Sequence, residues 1–192
     1  MPEYMGQLEA QNRETSATSF DDEVISHLRR NNFEEAIRIV KEYKAHSPIH
    51  RNLPFEPDKQ IIQKLEWIFY RRPKILTSVS EDELNALRIA AAMMVLWAVN
   101  RPSRWLPKDF NVQLFMDRDS AARMPYFYAN FRSKLELARF AEIAEVEILT
   151  ADDEYVCPEC SRLNHRKYRI DDVPELPFHK CASGFGCRCV IV

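Results

Sequence analysis

All five cysteines of this 192-residue chain fall between positions 157 and 189, and that clustering restricts the fold more than any other feature. In Cys157-Pro158-Glu159-Cys160 two thiols flank a turn in which proline fixes φ, so both sulfurs can aim at one point. The second cluster runs His179-Lys180-Cys181-Ala182-Ser183-Gly184-Phe185-Gly186-Cys187-Arg188-Cys189. Zn²⁺ takes four N or S ligands in a tetrahedron, and paired cysteines at this spacing are a common way to supply them. The reading is a zinc knuckle held by Cys157, Cys160, Cys181 and Cys187. His179 and Cys189 are alternates for its second half, and His165 is a weaker candidate between the clusters. One thiol is left over.

Other uses of cysteine fit less well. A redox C-x-x-C opens a helix after a strand in a βαβ setting, whereas the segment downstream of Cys160 is short and strand-like. Structural disulfides suit an exported chain and an even count; five is odd, and no signal peptide is read. The chain has three glycines, Gly6, Gly184 and Gly186, so two of them flank Phe185 just before Cys187. They are expected to give the backbone freedom for folding the thiols back.

Scarcity of glycine also excludes functions. Between Gly6 and Gly184 there is none, hence no Walker loop and no G-x-G-x-x-G, both of which need close backbone approach to phosphate. None of the five histidines begins H-E-x-x-H or H-x-E, which removes the common zinc protease and deaminase signatures. The formal charge of -2 supplies no basic surplus for nucleic acid. The apolar run Ile89 to Val99 is shorter than the about 18 to 20 residues that cross a bilayer and reads as a buried helix. With unpaired thiols and no signal peptide or lipidation site read, the expected compartment is a reducing cytoplasm.

Taken in order, the chain reads as α+β: a mostly helical amino-terminal part and a small β module at the carboxyl end. Residues 1–19 are polar and aperiodic, a disordered tail; 20–144 form the helical domain and 145–192 the β module with the zinc knuckle. Val24, Ile25 and Leu28 mark one helix, stopped at Asn31-Asn32. Phe33, Ala36, Ile37, Val40 and Tyr43 mark a second, giving an αα-hairpin. Prolines between Ser47 and Pro57 break the chain, leaving His46 and His50 as exposed or capping residues. A helix over about Asp58 to Arg71 turns Ile61, Ile62, Leu65, Ile68 and Phe69 inward. Ser80-Glu81-Asp82-Glu83 is a capping box opening a central helix to about Val99. The stretch Pro102 to Met124 reads as a packed loop or short strand, and a helix starts at Pro125 and runs to about Ala144. Val146, Ile148 and Thr150 then alternate as a strand, with Lys167 to Ile170 and Cys189 to Val192 as two more.

The run Glu147-Ile148-Leu149-Thr150-Ala151-Asp152-Asp153-Glu154-Tyr155-Val156-Cys157-Pro158-Glu159-Cys160, followed by Leu163, Asp171 to Pro177 and Cys187-Arg188-Cys189, carries a resemblance. Over roughly the last third of the chain it resembles phage head-morphogenesis proteins, the minor head proteins similar to protein F of phage Mu. That family shows a helix, a strand, a D-E-x-x-C-P-x-C turn, a leucine-aspartate-glycine step, an acidic-proline stretch and a closing H-P-x-C-R-C. The step stands here as Leu163-Asn164-His165, where Asn and His tolerate the left-handed conformation glycine would take. The closing motif stands as His179-Lys180-Cys181, an insertion, and Cys187-Arg188-Cys189. The resemblance implies a ligand at His179 or, replacing it, Cys181.

Three functions are weighed. The first is a structural zinc module on a helical domain, an assembly or scaffold protein of prophage type with protein partners or copies of itself and no catalytic site. The second is a nucleic-acid-binding zinc ribbon using Arg162, Arg166, Lys167, Arg169, Lys180 and Arg188, although seven acidic residues from Asp152 to Glu175 nearly cancel that charge. The third is a zinc-dependent hydrolase using Asp152, Asp153 or Glu154, residues that more simply cap the turn or stay solvated.

Overall fold

The computed structural model describes residues 20–46, 56–112, 114–151 and 153–192. The tail expected over 1–19, His50 and Asp152 lie outside them. The fold is α+β, mostly helical and closed by a three-stranded antiparallel sheet. It divides into two compact units, one ending at Asp58 and one spanning Lys59–Val192.

The first unit is the expected helix pair, α1 (residues 20–29) and α2 (Phe33–His46). Asn31 takes φ 55°, its N–H reaches the Leu28 carbonyl, and the N–H of Asn32 reaches His27. This paired closure ends α1 at the residue type that best tolerates the left-handed region after glycine. The Asn32 carbonyl then accepts from Ala36 and opens α2. Val24 and Leu28 are buried, as are Phe33, Ala36, Ile37, Ile39 and Val40. Tyr43 departs from the expected inward face: it is exposed, and its ring lies 4.6 Å from that of Phe20. His46 is exposed and bonds the Glu42 carbonyl through Nδ1, a capping role.

In the second unit α3 (Asp58–Tyr70) buries Ile61, Leu65 and Ile68, with Ile62 and Phe69 half-buried. A 3₁₀ turn at Lys74–Leu76 leads to α4 (Glu81–Trp97). The capping box is formed: Ser80 Oγ accepts from the Glu83 N–H at 3.3 Å, and Glu83 Oε2 accepts from the Ser80 N–H at 2.9 Å. Leu84, Leu87, Ala90, Ala91, Met93, Met94 and Leu96 are buried, as an apolar helix surrounded by others requires. Its one charged intruder is explained by what it caps. Arg88 Nε donates to the Ile68 carbonyl at 3.1 Å and Nη2 to the Arg71 carbonyl at 3.2 Å, satisfying acceptors at the end of α3.

The segment after α4 differs from expectation. Pro102–Trp105 is a 3₁₀ turn, and α5 runs Arg118–Phe140, so it begins well before Pro125 and carries that proline inside. Asp117 supplies the start, accepting the Ser120 N–H at 2.8 Å and the Ser120 hydroxyl at 3.0 Å. Buried Ala121, Ala122, Met124, Tyr128, Phe131, Leu135 and Ala138 form one continuous face through the proline. The helix also stops short of Ala144. Glu142 takes φ 54°, and the N–H groups of Glu142 and Ile143 return to Arg139 and Ala138. Ile68, Ala91 and Ala129 meet in the core, joining α3, α4 and α5.

The sheet has order β2-β1-β3, with β1 at Glu145–Leu149, β2 at Arg166–Arg169 and β3 at Val190–Ile191. Val146, Ile148 and Ile191 are buried, while Glu145 and Glu147 stand opposite Arg169 and Lys167. Lys134 of α5 donates to the Ile191 carbonyl at 3.1 Å, tying sheet to helix. Among the described residues no helix is long and apolar enough to cross a membrane.

Replacing Arg88 with Met leaves two carbonyls at the α3 terminus without their charged donor, and charged hydrogen bonds of this kind contribute about 1.5–3 kcal/mol. Urea unfolding of Arg88→Met is expected to show a lower midpoint by an amount in that range with an unchanged slope. An unchanged midpoint contradicts the capping role.

Candidate metal centre

Strand β1 delivers the chain into a tight turn before the first cysteine pair. Asp153 Oδ1 accepts the Tyr155 N–H at 3.0 Å, so this carboxylate caps the turn. Cys157 then starts the single helical turn α6 (Pro158–Ser161), with Pro158 at its first position and Cys157 Sγ accepting the Cys160 N–H at 3.4 Å. Proline here removes an N–H that the start of a helix leaves unpaired anyway. The return to β2 uses Asn164 and His165 as expected: His165 takes φ 58°, and Asn164 Oδ1 caps the Thr150 N–H at 3.0 Å. The His165 ring is turned to Glu147, at 2.7 Å, and is exposed.

The second cluster folds back onto the first. Ala182 donates its N–H to Cys157 Sγ at 3.4 Å, and Phe178 donates to Cys187 Sγ at 3.1 Å. The Gly186 N–H closes a turn onto the Ser183 carbonyl at 2.9 Å. Of the two glycines expected to shape this loop, only Gly186 uses its freedom, at φ +71°. A Cβ there meets Met124 Cε at 2.6 Å, so the loop is pressed against α5. The Asp117 N–H adds a 3.2 Å bond to the Gly184 carbonyl.

All five cysteines are buried and none is in a disulfide. Their sulfurs form two triads, Cys157, Cys160, Cys181 and Cys160, Cys187, Cys189, the sulfurs of each lying within 4.8 Å of one another. Cys160 belongs to both. Cys157 and Cys181 stand 3.8 Å apart, and Cys160 and Cys187 4.0 Å. Sulfurs at about 2.3 Å from one tetrahedral ion stand about 3.8 Å from one another, so the spacing within each triad suits a metal ligand pair. Cys189, an alternate for the second half of the site, has its sulfur in the second triad. His179 is exposed, its ring beside that of Phe178, and belongs to neither triad.

The electrostatics favour a cation. Contacts from Cys160, Cys181 and Cys189 hold the Cys187 thiol far below its ordinary range, and contacts with Cys181, Cys187 and Cys189 push Cys160 far up. Cys181 is pulled down by Cys160 but pushed up by Cys187 and burial, to about 12. Burial opposes ionisation of Cys157, yet the N–H groups of Ala182 and Cys160 together with contacts from the Cys160 and Cys181 side chains outweigh it and lower the thiol. Negative charge is thus accepted at Cys187 and Cys157 at the expense of their neighbours, because like charges this close cannot all ionise unaided. A bound cation removes that conflict. The cavity lined by Cys157, Cys160, Cys181 and Cys189 with Thr150, Tyr155, Ser183 and Arg188 has a volume of about 10 Å³, room for roughly one water-sized sphere.

A second layer, not anticipated from spacing, joins the two segments. Arg188 clamps Asp153 in a two-pronged ion pair at 2.5 and 2.7 Å, and the guanidinium holds that carboxyl below the usual carboxylate range. Tyr155 and Phe185 meet edge to face at 4.7 Å. The only local hint was an aspartate just before one cysteine pair and an arginine inside the other. Among the hydrolase candidates, Asp153 is committed to Arg188 and Glu154 is exposed. No family model, curated protein or solved structure matches this chain.

The glycine pair separates loop geometry from mere proximity to cysteine. Gly186→Ala forces a side chain onto a left-handed backbone and displaces the end of Met124, and is expected to cost at least about 1 kcal/mol, lowering the melting temperature. Gly184→Ala, whose Cβ meets nothing within 4 Å, is expected to melt like the parent. Equal melting of both variants contradicts the docking of this loop on α5.

Proposed function

We propose that the carboxyl-terminal module holds one zinc ion through Cys157, Cys160, Cys181 and Cys187, and that the ion is structural. The observation that carries this is the crowding of buried thiols around Cys160, with backbone N–H groups already directed at Cys157 and Cys187. Such donors stabilise thiolates and orient them for a metal. Cys187 is preferred to Cys189 as fourth ligand because it accepts the Phe178 N–H and is the more deeply buried. Four protein ligands leave no open position for water or substrate. The chain is therefore assigned no catalytic site.

The role of the whole chain is an assembly or scaffold protein, akin to phage head-morphogenesis proteins, working with protein partners or copies of itself in a reducing cytoplasm. Its support is the motif order around the cysteines and a metal site built to brace a sheet against α5. Nucleic-acid binding is less well supported. Arg188 is paired with Asp153 and Arg162 with Glu159, while Lys167 and Arg169 stand across from Glu147 and Glu145.

Protein expressed with adequate metal is expected to carry about one zinc per chain, with absorption spectroscopy giving four sulfurs at about 2.3 Å. Structural zinc in small modules contributes on the order of 10 kcal/mol, comparable to the stability of a whole domain. Cys157→Ser and Cys160→Ser should therefore lose both the ion and the sheet, whereas His179→Ala retains the ion. An open position overturns the structural assignment, and a nitrogen or oxygen ligand overturns the four-cysteine set.

A further inference from the structure

We propose that the same five thiols can instead bind two thiophilic monovalent ions, copper(I) being the physiological one, with Cys160 as a thiolate bridging the pair. This rests on the cysteine site of the preceding reading but not on zinc as its only occupant. A tetrahedral zinc uses four cysteines and leaves a buried fifth without a task. The sulfurs themselves group differently, as two triads that meet at Cys160. Each triad is a three-sulfur site, and a thiolate has lone pairs enough to bond two metals at once.

The spacing fits three-coordination. At a bond length of about 2.3 Å, three sulfurs around a trigonal ion stand about 4.0 Å apart. Cys157 and Cys181 in the first triad are 3.8 Å apart, and Cys160 and Cys187 in the second 4.0 Å. Thiolates are soft ligands that favour Cu(I). The greater negative charge of a five-thiolate site meets donors already in place: the N–H groups of Ala182 and Cys160 on Cys157 and of Phe178 on Cys187. Binding requires no redox step. Each thiol releases its proton to solvent, and copper arrives and remains as Cu(I).

The test is anaerobic titration of metal-free, full-length protein with Cu(I) supplied as its bicinchoninate complex. Uptake and the emission of a copper–thiolate cluster are read together, and zinc uptake is measured in parallel. Saturation at two copper ions per chain with emission is the expected result. Cys181→Ser and Cys189→Ser each leave one intact triad and should each retain one tightly held copper. Cys160→Ser should lose the emission and surrender its copper to a bicinchoninate excess that the parent resists, with the helical circular dichroism reporting whether the second unit stays folded. Saturation of the parent at one copper overturns the bridged pair and, with one zinc still bound, leaves the zinc reading intact. Emission and retention unchanged in Cys160→Ser also overturn it. Two coppers without zinc uptake support the pair and overturn the zinc reading.

Discussion

The carboxyl-terminal module of this structure depends on a conflict among sulfurs. Five buried cysteines converge near Cys160, close enough that their ionisations oppose one another. No arrangement of hydrogen bonds among thiols resolves that conflict, because a thiol is a weak donor and each new thiolate raises the demand on its neighbours. A soft cation would resolve it. The surrounding loops contain little regular structure of their own, with one helical turn and a two-residue strand, so the central contacts carry much of the organisation of this segment.

Around that centre the interactions are graded by distance along the chain. Nearest are the N–H to sulfur bonds made within the turn itself, as from Cys160 to Cys157. Next come links between the two cysteine segments, the Arg188–Asp153 clamp and the Tyr155–Phe185 ring pair. Beyond them lie ties to other parts of the second unit: Asp117 to Gly184, Lys134 to Ile191, and the Glu175 carboxylate accepting the Lys74 N–H at 2.7 Å. None of these requires the metal. They bring the sulfurs together by folding, so the ordering entropy of the loop is met partly before an ion binds.

Much of this architecture was legible in short windows of sequence. The capping box at Ser80, the Asn31-Asn32 turn, the alternation of Val146 and Ile148, and the left-handed His165 all follow from local rules that the structure obeys. The start of α5 did not, because Pro125 is a stronger textual signal than the Asp117 cap, yet the buried face from Ala121 onward keeps the helix intact across it. The grouping of the cysteines was only half readable. Spacing identifies Cys157 and Cys160 as a pair, but which sulfurs of the second cluster approach them is decided by the Gly186 turn and the methionines beneath it. Nor does spacing report the Asp153–Arg188 clamp, whose partners are far apart in sequence and carry no periodic signature.

The contact between Gly186 and Met124 bears on modularity. Cysteine-rich segments are often treated as cassettes that can be cut from one protein and placed in another. Here the loop lies so close to α5 that a single added carbon meets Met124 Cε at 2.6 Å, and Met116 lies beside it. Transplanting residues 145–192 onto a foreign scaffold would uncover the apolar seat on which the loop rests, and the Gly184 carbonyl would lose the amide of Asp117. A portable version of this cysteine cluster must therefore carry the first two turns of α5 with it.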